Sequence, residues 1–590
     1  MRLYEISIRR FRGIKKLDWT SPNEFSCLVG PRDSTKSTIL DAIEYALSPR
    51  WNVVFDDTDF FNLDTSEPIE VTVTVGEVPE SLLVEEKFGL HLRGWNPATK
   101  KVNDEPEPAS DNLRALSIRL TVDSALEPQW NVVNDHNEAK RISHKDRELL
   151  GLARLGSSVD WHLSWQRGSI LSRFTAGNSK DVGSISGVLA EATRAARKTF
   201  TPSAVDSLNN AAQRTEILAK HLGVQPITHY QPHLDFESAS VGMGGVTLHD
   251  GEIPLRNAGL GTRRLLTLAL QKEIARAGGV TLVDEVEHAL EPHTIRQLLT
   301  FLKKGSEIPE GGKGAEPKES ARECVVLTTH SPTVIVELDA TNLFMVRNEA
   351  GQTTVEGIPD ELQSVVRIGP DAFLGKAVIV CEGKTEYGVC RALDNWWSGA
   401  IGGQSLKSLG LLGVVPIASV SGGGSEAPRI AQGFVTLGFR TLLFADSDEP
   451  LNPSEEDLRN AGGTVVQWQG SCSIEQRVFW DLPWDGVVEL LTVAAEEKDE
   501  ESVRSLVASR LGINATGLSR DIKNWNTVPE VNEQTVRDAL GKAAKVGKWF
   551  KSIALGETLG NIVTKYLNVI PNTDLAKKIS ALRLWVDSSE

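Results

Sequence analysis

The chain has 590 residues, 40% hydrophobic and 24% charged, an ordinary composition for three or four globular units. No apolar run approaches the roughly 18 residues a membrane helix needs, and the start, MRLYEISIRRFRG, lacks the apolar core of a signal peptide. Five scattered cysteines (Cys27, Cys324, Cys381, Cys390, Cys472) predict a reducing cytoplasm rather than a disulfide framework or a zinc site, and a net charge of −16 argues against a sequence-tolerant DNA coat while leaving room for a nuclease.

In chain order, residues 3–8 read as a strand and residues 25–29 as another. The second runs into Gly30-Pro-Arg-Asp-Ser-Thr35-Lys36-Ser37-Thr38 and a helix-like ILDAIEYAL. Strand, loop and helix are the setting of a phosphate-binding loop, whose N–H groups hold phosphates at the helix N-terminus. Gly30 and Thr38 belong to that stretch, Lys36 would reach the β- and γ-phosphates, and Ser37 would ligate Mg2+. Thr35 stands where the pattern has its second glycine. A β-branched residue is strained wherever φ is positive or the backbone must approach a ligand.

Ile69, Val71, Val73 and Val75, then Leu116, Ile118, Leu120 and Val122, alternate apolar with polar and predict half-buried antiparallel strands, with a loop at 103–108 between them. Residues 181–225, rich in alanine and charge, read as a helical insertion, either a solvated arm or a dimerisation arm. Gly259 and Gly261 open an amphipathic helix whose N-terminus could cap the γ-phosphate of a nucleotide held by a second subunit. The strand after Gly279 ends in Asp284 and Glu285; Asp284 would hold Mg2+ through its water and Glu285 would polarise the attacking water. After HALEP (288–292), a helix and a polar loop near 304–320, a strand from Cys324 ends at His330, which could hydrogen-bond the γ-phosphate.

This order of loop, glycine turn, acid pair and histidine resembles the ABC-type ATPase heads of SMC/RecF-like proteins, as does FRGI at 11–14. The resemblance implies ATP with one Mg2+, and a homodimer in which the signature turn acts across subunits. The sequence lacks that family's Ser-Gly-Gly-Gln signature, leaving Gly259 and Gly261 as its counterpart, and Asp59 is the candidate for its glutamine loop.

In the second half, KAVIVCEGKTE (376–386) reads as a buried parallel strand with Glu382 at its carboxyl end, where ligands sit in open α/β sheets. Glu386 follows about one turn into the next element. A second run, Arg440–Ala445, ends in Asp446-Ser447-Asp448. Residues i and i+2 of an extended strand share a side, so both aspartates are expected to face one point. Residues 421–425 form a glycine turn, and Glu475 supplies a further acid, although a surface position is a fair reading of that residue alone. Carboxylates gathered in this way repel unless a cation neutralises them. A divalent-metal site of Glu382, Glu386, Asp446, Asp448 and Glu475 is therefore expected.

Glu382 with Asp446 and Asp448 looks like the Toprim pattern. An ABC-type head followed by Toprim resembles the OLD (overcoming lysogenization defect) family of ATP-dependent nucleases, which includes the similarly laid-out large subunit of the Gabija anti-phage system. That resemblance implies DNA cleavage with two Mg2+ or Mn2+ ions, completed by a C-terminal lysine. Lys542, Lys545, Lys548 and Lys551 recur every three residues and predict one positive helical stripe along DNA phosphates; Lys551 or Lys548 is the candidate for the catalytic role. The fold expectation is α/β: an ABC-type P-loop ATPase domain (1–180 and 226–370) with the helical insertion (181–225), a Toprim parallel-sheet domain (371–495) and a helical C-terminal segment (496–590). The function expected is an ATP-regulated DNA endonuclease, cytoplasmic, homodimeric or larger, in anti-phage defence. The competing expectation is an SMC/RecF-like repair ATPase whose Toprim domain binds without cutting. A helicase-like protein or a retron's nucleic acid is a further partner expectation; a membrane is not.

Overall fold

The chain divides into two compact units, Met1–Gly357 and Ile358–Glu590. The computed structural model describes residues 1–20, 23–50, 53–104, 112–136, 139–156, 160–165, 169–172, 206–234, 246–275, 279–304, 324–398, 414–416 and 426–588. No helix among these is long and apolar enough to cross a membrane.

The first unit is built on a 14-stranded sheet. One flank is parallel, in the order Ala153–Leu155, Val280–Val283, Cys324–Thr328, Phe25–Val29, Leu343–Glu349. Phe25–Val29 is buried at every position, which is why its sequence is a continuous apolar run. On the antiparallel flank Ile69–Gly76 pairs with Leu113–Val122 in the register Ile69↔Val122, Val71↔Leu120, Val73↔Ile118. The apolar halves of the two alternating runs therefore meet on one face, as the pattern predicts.

Parallel order sets Phe25–Val29, Cys324–Thr328 and Val280–Val283 side by side. The phosphate loop, the Thr329-His330 turn and the acid pair thus leave the same edge of the sheet, where such folds take ligands. Gly30 opens the loop at φ +147°, and a Cβ there would lie 2.5 Å from Val346 O, so only glycine fits. Of the expected insertion, Asp206–His221 is a helix with Leu208, Ala211, Ala212 and Leu218 buried. Residues 181–205, 105–108, 305–320 and 421–425, on which other expectations fell, lie outside the described residues.

The second unit holds four parallel strands in the order Val414–Pro416, Ala377–Cys381, Arg440–Ala445, Thr464–Gln467. Helices complete its core, among them Ile474–Asp481, Trp484–Lys498, Glu533–Gly547 and Asp574–Asp587. Two other helices, Lys384–Ser398 and Ile553–Tyr566, cross at close range. A Cβ on Gly388 would lie 2.4 Å from Ile553 O, one on Gly556 2.6 Å from Thr385 O, and one on Gly560 2.6 Å from Ala392 Cβ. Gly388/Ala392 and Gly556/Gly560 are each spaced by four, so two stripes of small residues face each other and let the backbones approach. Thr385 Oγ1 donates to Phe550 O at 3.0 Å, tying down the segment that precedes the second helix.

The expected lysine stripe does not form. Helix Glu533–Gly547 stops short of it: Lys548 turns left-handed, φ +53°, and donates its N–H to Ala544 O and Lys545 O, a common way of ending a helix. Only Lys542 and Lys545 lie on the helix, and Lys542 is ion-paired to Asp538 at 2.6 Å. Lys551 lies in the connection beyond the buried Trp549 and Phe550.

Candidate functional site

Lys36 begins helix Lys36–Leu47 and is 4% exposed. Its ammonium donates to Gly30 O at 3.0 Å, Pro31 O at 2.8 Å and Ser34 Oγ at 2.9 Å. Burial pulls its pKa down to about 8, against Asp284, Asp33 and Glu287. A desolvated ammonium ringed by loop oxygens can exchange them for phosphate oxygens. Ser37 Oγ donates to Asp284 Oδ1 at 2.9 Å, and Thr328 Oγ1 donates to the same oxygen at 2.7 Å. Hydroxyl and carboxylate oxygens of this kind suit Mg2+. Thr38 sits half-buried in the first helical turn, and Thr35 before it has φ +65°, so the residue in the glycine position does carry left-handed strain.

Glu285 follows Asp284 at φ +46°, its N–H on Thr328 Oγ1 at 2.8 Å and its half-exposed carboxylate 3.4 Å from His288 Nδ1. Burial, reinforced by Lys36, lowers the pKa of His330, keeping the ring neutral at pH 7. Gly259 and Gly261 line a cavity of about 720 Å³ with Asn257, Thr262, Ala289 and His293, and none of residues 30–38 lines it. Asp59 braces the FRGI turn: its Oδ1 accepts from Arg12 Nε at 2.8 Å and its Oδ2 from Asp56 N at 3.2 Å.

Sequence reasoning passed over four residues here. Thr328 bridges the acid pair. Glu287 accepts from Thr329 Oγ1 at 2.8 Å and His330 N at 2.7 Å, fixing the histidine turn. Arg264, buried on helix Leu260–Ala275, donates to Asp284 O at 2.8 Å and Glu285 O at 2.9 Å. Arg154 lies 3.4 Å from Asp284 Oδ2. Glu287 and Arg264 left a trace, a third acid in VDEVEH and an arginine pair running straight into the leucine-rich LLTLAL.

In the second unit Glu382 and Asp446 follow neighbouring parallel strands. Glu382 Oε2 accepts from Asp446 N at 2.7 Å. Asp446 Oδ1 accepts from Ile474 N, at the start of helix Ile474–Asp481, at 2.8 Å, and from Trp468 Nε1 at 3.1 Å. Glu386 and Glu475 are 1% and 0% exposed, and Lys551 Nζ lies 3.2 Å from Glu475 Oε1. Burial pushes Glu386 up to about 7, with Lys551 opposing and Glu475 and Glu382 adding. Burial also raises Asp446 well above the usual aspartate range, with Glu386, Glu475 and Glu382 adding, and it raises Glu382. Burial works against the Lys551 ammonium, but Glu475, Glu386 and Asp446 outweigh it and raise its pKa.

The strand before Asp448 ends at Ala445, so the alternation does not reach it, and it is ion-paired to Lys545. Lys548 caps its helix, which leaves Lys551 as the candidate lysine beside the acids. Glu386 Oε1 is buried without a hydrogen bond, and the fully buried Glu475 has Lys551, 3.2 Å away, against it. An all-oxygen set with unmet valence suits a hard divalent cation. Even so, among the described residues no three His, Cys, Asp or Glu side chains are gathered closely enough to hold a metal ion. Glu382 and Asp446 each turn an oxygen to a backbone N–H instead, so chelation there requires those carboxylates to exchange partners.

A family model described as "AAA domain, putative AbiEii toxin, Type IV TA system" matches residues 25–337. Among solved structures, the SMC head domain from Thermotoga maritima is similar at 14% identity over 61% of this chain and all of that one, with a TM-score of 0.29. No curated protein matches the chain.

Proposed function

The chain belongs to this AAA domain family and carries an ATPase, and on that premise we propose that its second unit is a divalent-metal-dependent DNA endonuclease of the Toprim kind, regulated by ATP in the first. The observation that carries the reading is the burial of Glu386, Asp446 and Glu475, with half-buried Glu382 bonded to Asp446 N and Lys551 set against Glu475. Burying acids is costly unless they are paired or coordinate a metal.

In the first unit Lys36 would hold phosphate oxygens, Ser37 and Asp284 would present oxygens to the nucleotide's Mg2+, Glu285 would polarise the attacking water, and neutral His330 would donate to the γ-phosphate. In the second, Mg2+ or Mn2+ bound by the acids would supply the charge that activates water and steadies the leaving oxygen of a phosphodiester. Lys551 relieves repulsion among the acids and, being partly exposed, offers a cationic contact to a phosphate. A homodimer acting in anti-phage defence rests on the OLD resemblance. The toxin–antitoxin wording of the family description agrees with such a role.

A second reading, an SMC/RecF-like ATPase whose second unit binds without cutting, is favoured by one observation: Glu382 and Asp446 are already engaged by backbone N–H groups. Plasmid nicking with Mg2+ or Mn2+, with and without ATP, separates the two. Nicking that falls at least about 100-fold in both Glu386→Gln and Asp446→Asn, with ATP binding intact, supports the nuclease. Equal nicking by the variants refutes the site, and no nicking under any metal supports the second reading.

A further inference from the structure

Arg154 belongs to no recognised motif. It sits in Ala153–Leu155, an edge strand paired with Val280–Val283. Its largely buried guanidinium faces three acids: Asp41 Oδ1 at 2.8 Å, Asp284 Oδ2 at 3.4 Å and Glu44 Oε2 at 3.5 Å. Asp41 and Glu44 lie on helix Lys36–Leu47, so Arg154 joins the phosphate-loop helix to the acid strand. Arg12 shares Asp41 from the other side at 2.7 Å. Arg154 Nη1 is buried with no hydrogen-bond partner. A guanidinium with an unmet donor is placed here by charge more than by hydrogen-bond geometry.

The two oxygens of Asp284 have different partners. Oδ1 takes the hydroxyls of Ser37 and Thr328; Oδ2 faces Arg154. The two hydroxyls can aim the carboxylate without Arg154. What Arg154 adds is a positive charge close to the acid on which a second cation must bear, both side chains being part-buried so that like charges repel more than in open water.

We infer that Arg154 is a built-in counter-ion of Asp284 that competes with the nucleotide's Mg2+, and so sets the Mg2+ concentration at which ATP is held. The inference rests on the reading of Asp284 as the Mg2+-facing acid. When the metal arrives with the nucleotide, Arg154 falls back on Asp41 and Glu44, its remaining partners. Arg154 is thus a positioning residue that acts through Asp284.

The test is a Mg2+ titration of fluorescent ATP-analogue binding to the full chain, in wild type, Arg154→Gln, Arg154→Lys and Asp284→Asn. R154Q is expected to lower the half-saturating Mg2+ by at least about threefold, while R154K, which keeps the charge, stays within about twofold of wild type. A purely structural role would not be rescued by charge alone. An R154Q midpoint equal to or above that of wild type overturns the inference, provided D284N still removes the Mg2+ response. If D284N responds to Mg2+ like wild type, it is the reading of Asp284 that fails. Should R154Q not fold, Asp41→Asn takes its place. It leaves Arg154 bearing on Asp284 and Glu44, and is expected to raise the midpoint; an unchanged or lowered midpoint overturns the inference.

Discussion

Thr35 holds a left-handed backbone, φ +65°, where a phosphate-binding loop has glycine. For a β-branched residue that costs on the order of 1–2 kcal/mol, partly offset by the bond from its hydroxyl to Ser34 O at 2.6 Å. In Thr35→Gly, relief of strain and the greater unfolded-state entropy of glycine, each about 1 kcal/mol, oppose one another. Thermal melting should therefore shift by no more than a few degrees, while equilibrium binding of ATP tightens; weaker binding would mean that the threonine presets the loop. Lys36 makes a pH prediction. Its pKa of about 8 lies below its usual 10.5, so between those values the unfolded chain holds the extra proton, and stability of the first unit climbs with pH across that window. Calorimetry over the same window should show the climb in wild type and its loss in Lys36→Met. Asp284 could be named because it adjoins a strand end that declares itself locally, and Lys36, Ser37 and Glu386 because each lies in the first turn of the helix that follows such a strand. Arg154 was not, because it meets Asp41 and Asp284 across 113 and 130 residues of chain, a distance no local pattern spans.

Short apolar runs gave away Phe25–Val29, Val280–Val283, Cys324–Thr328, Ala377–Cys381 and Arg440–Ala445, because a strand covered on both faces has little choice of residue. The helices were harder. The three-residue spacing of the lysines from 542 to 551 suggested a continuous helix, yet Lys548 ends it and the buried Trp549 and Phe550 redirect the chain; tertiary packing overrode the pattern. The four-residue glycine spacing at Gly556 and Gly560 was visible and went unread, since its meaning depends on the facing Gly388 and Ala392. That crossing sets the position of the segment bearing Lys551, and a Cβ at Gly556 meets backbone rather than a movable side chain. Gly556→Ala should cost about 1–3 kcal/mol, read as a lower urea midpoint for the second unit with ATP affinity unchanged. An unaffected midpoint would mean that the helices separate easily.

At the scale of the whole chain, the order of motifs along the sequence carried the ATPase, and the family match over residues 25–337 agrees. What the second unit does could be read only as far as its acids. The sequence brought Glu382, Glu386, Asp446, Asp448 and Glu475 together as one expected set, but side-chain direction decides chelation, and direction follows from partners such as Trp468 and Ile474 N for Asp446 and Lys545 for Asp448. Because the two units are compact separately, ligand responses should separate as well. Mn2+ should raise the melting temperature of the second unit by several degrees in wild type and in Lys36→Met, and by none in a Glu386→Gln, Glu475→Gln double variant. A shift that survives in the double variant would locate the ion elsewhere.

Lys551 is an internal substitute for part of the charge a metal would bring, lent to Glu475, Glu386 and Asp446 by a segment distant in sequence. Exchanging it for methionine would leave Asp446 its two N–H donors but would leave Glu386 and Glu475 to solution ions or protons. EDTA should then lower the melting temperature of the second unit further in that variant than in the native chain, so that its folding reports free divalent ion more steeply.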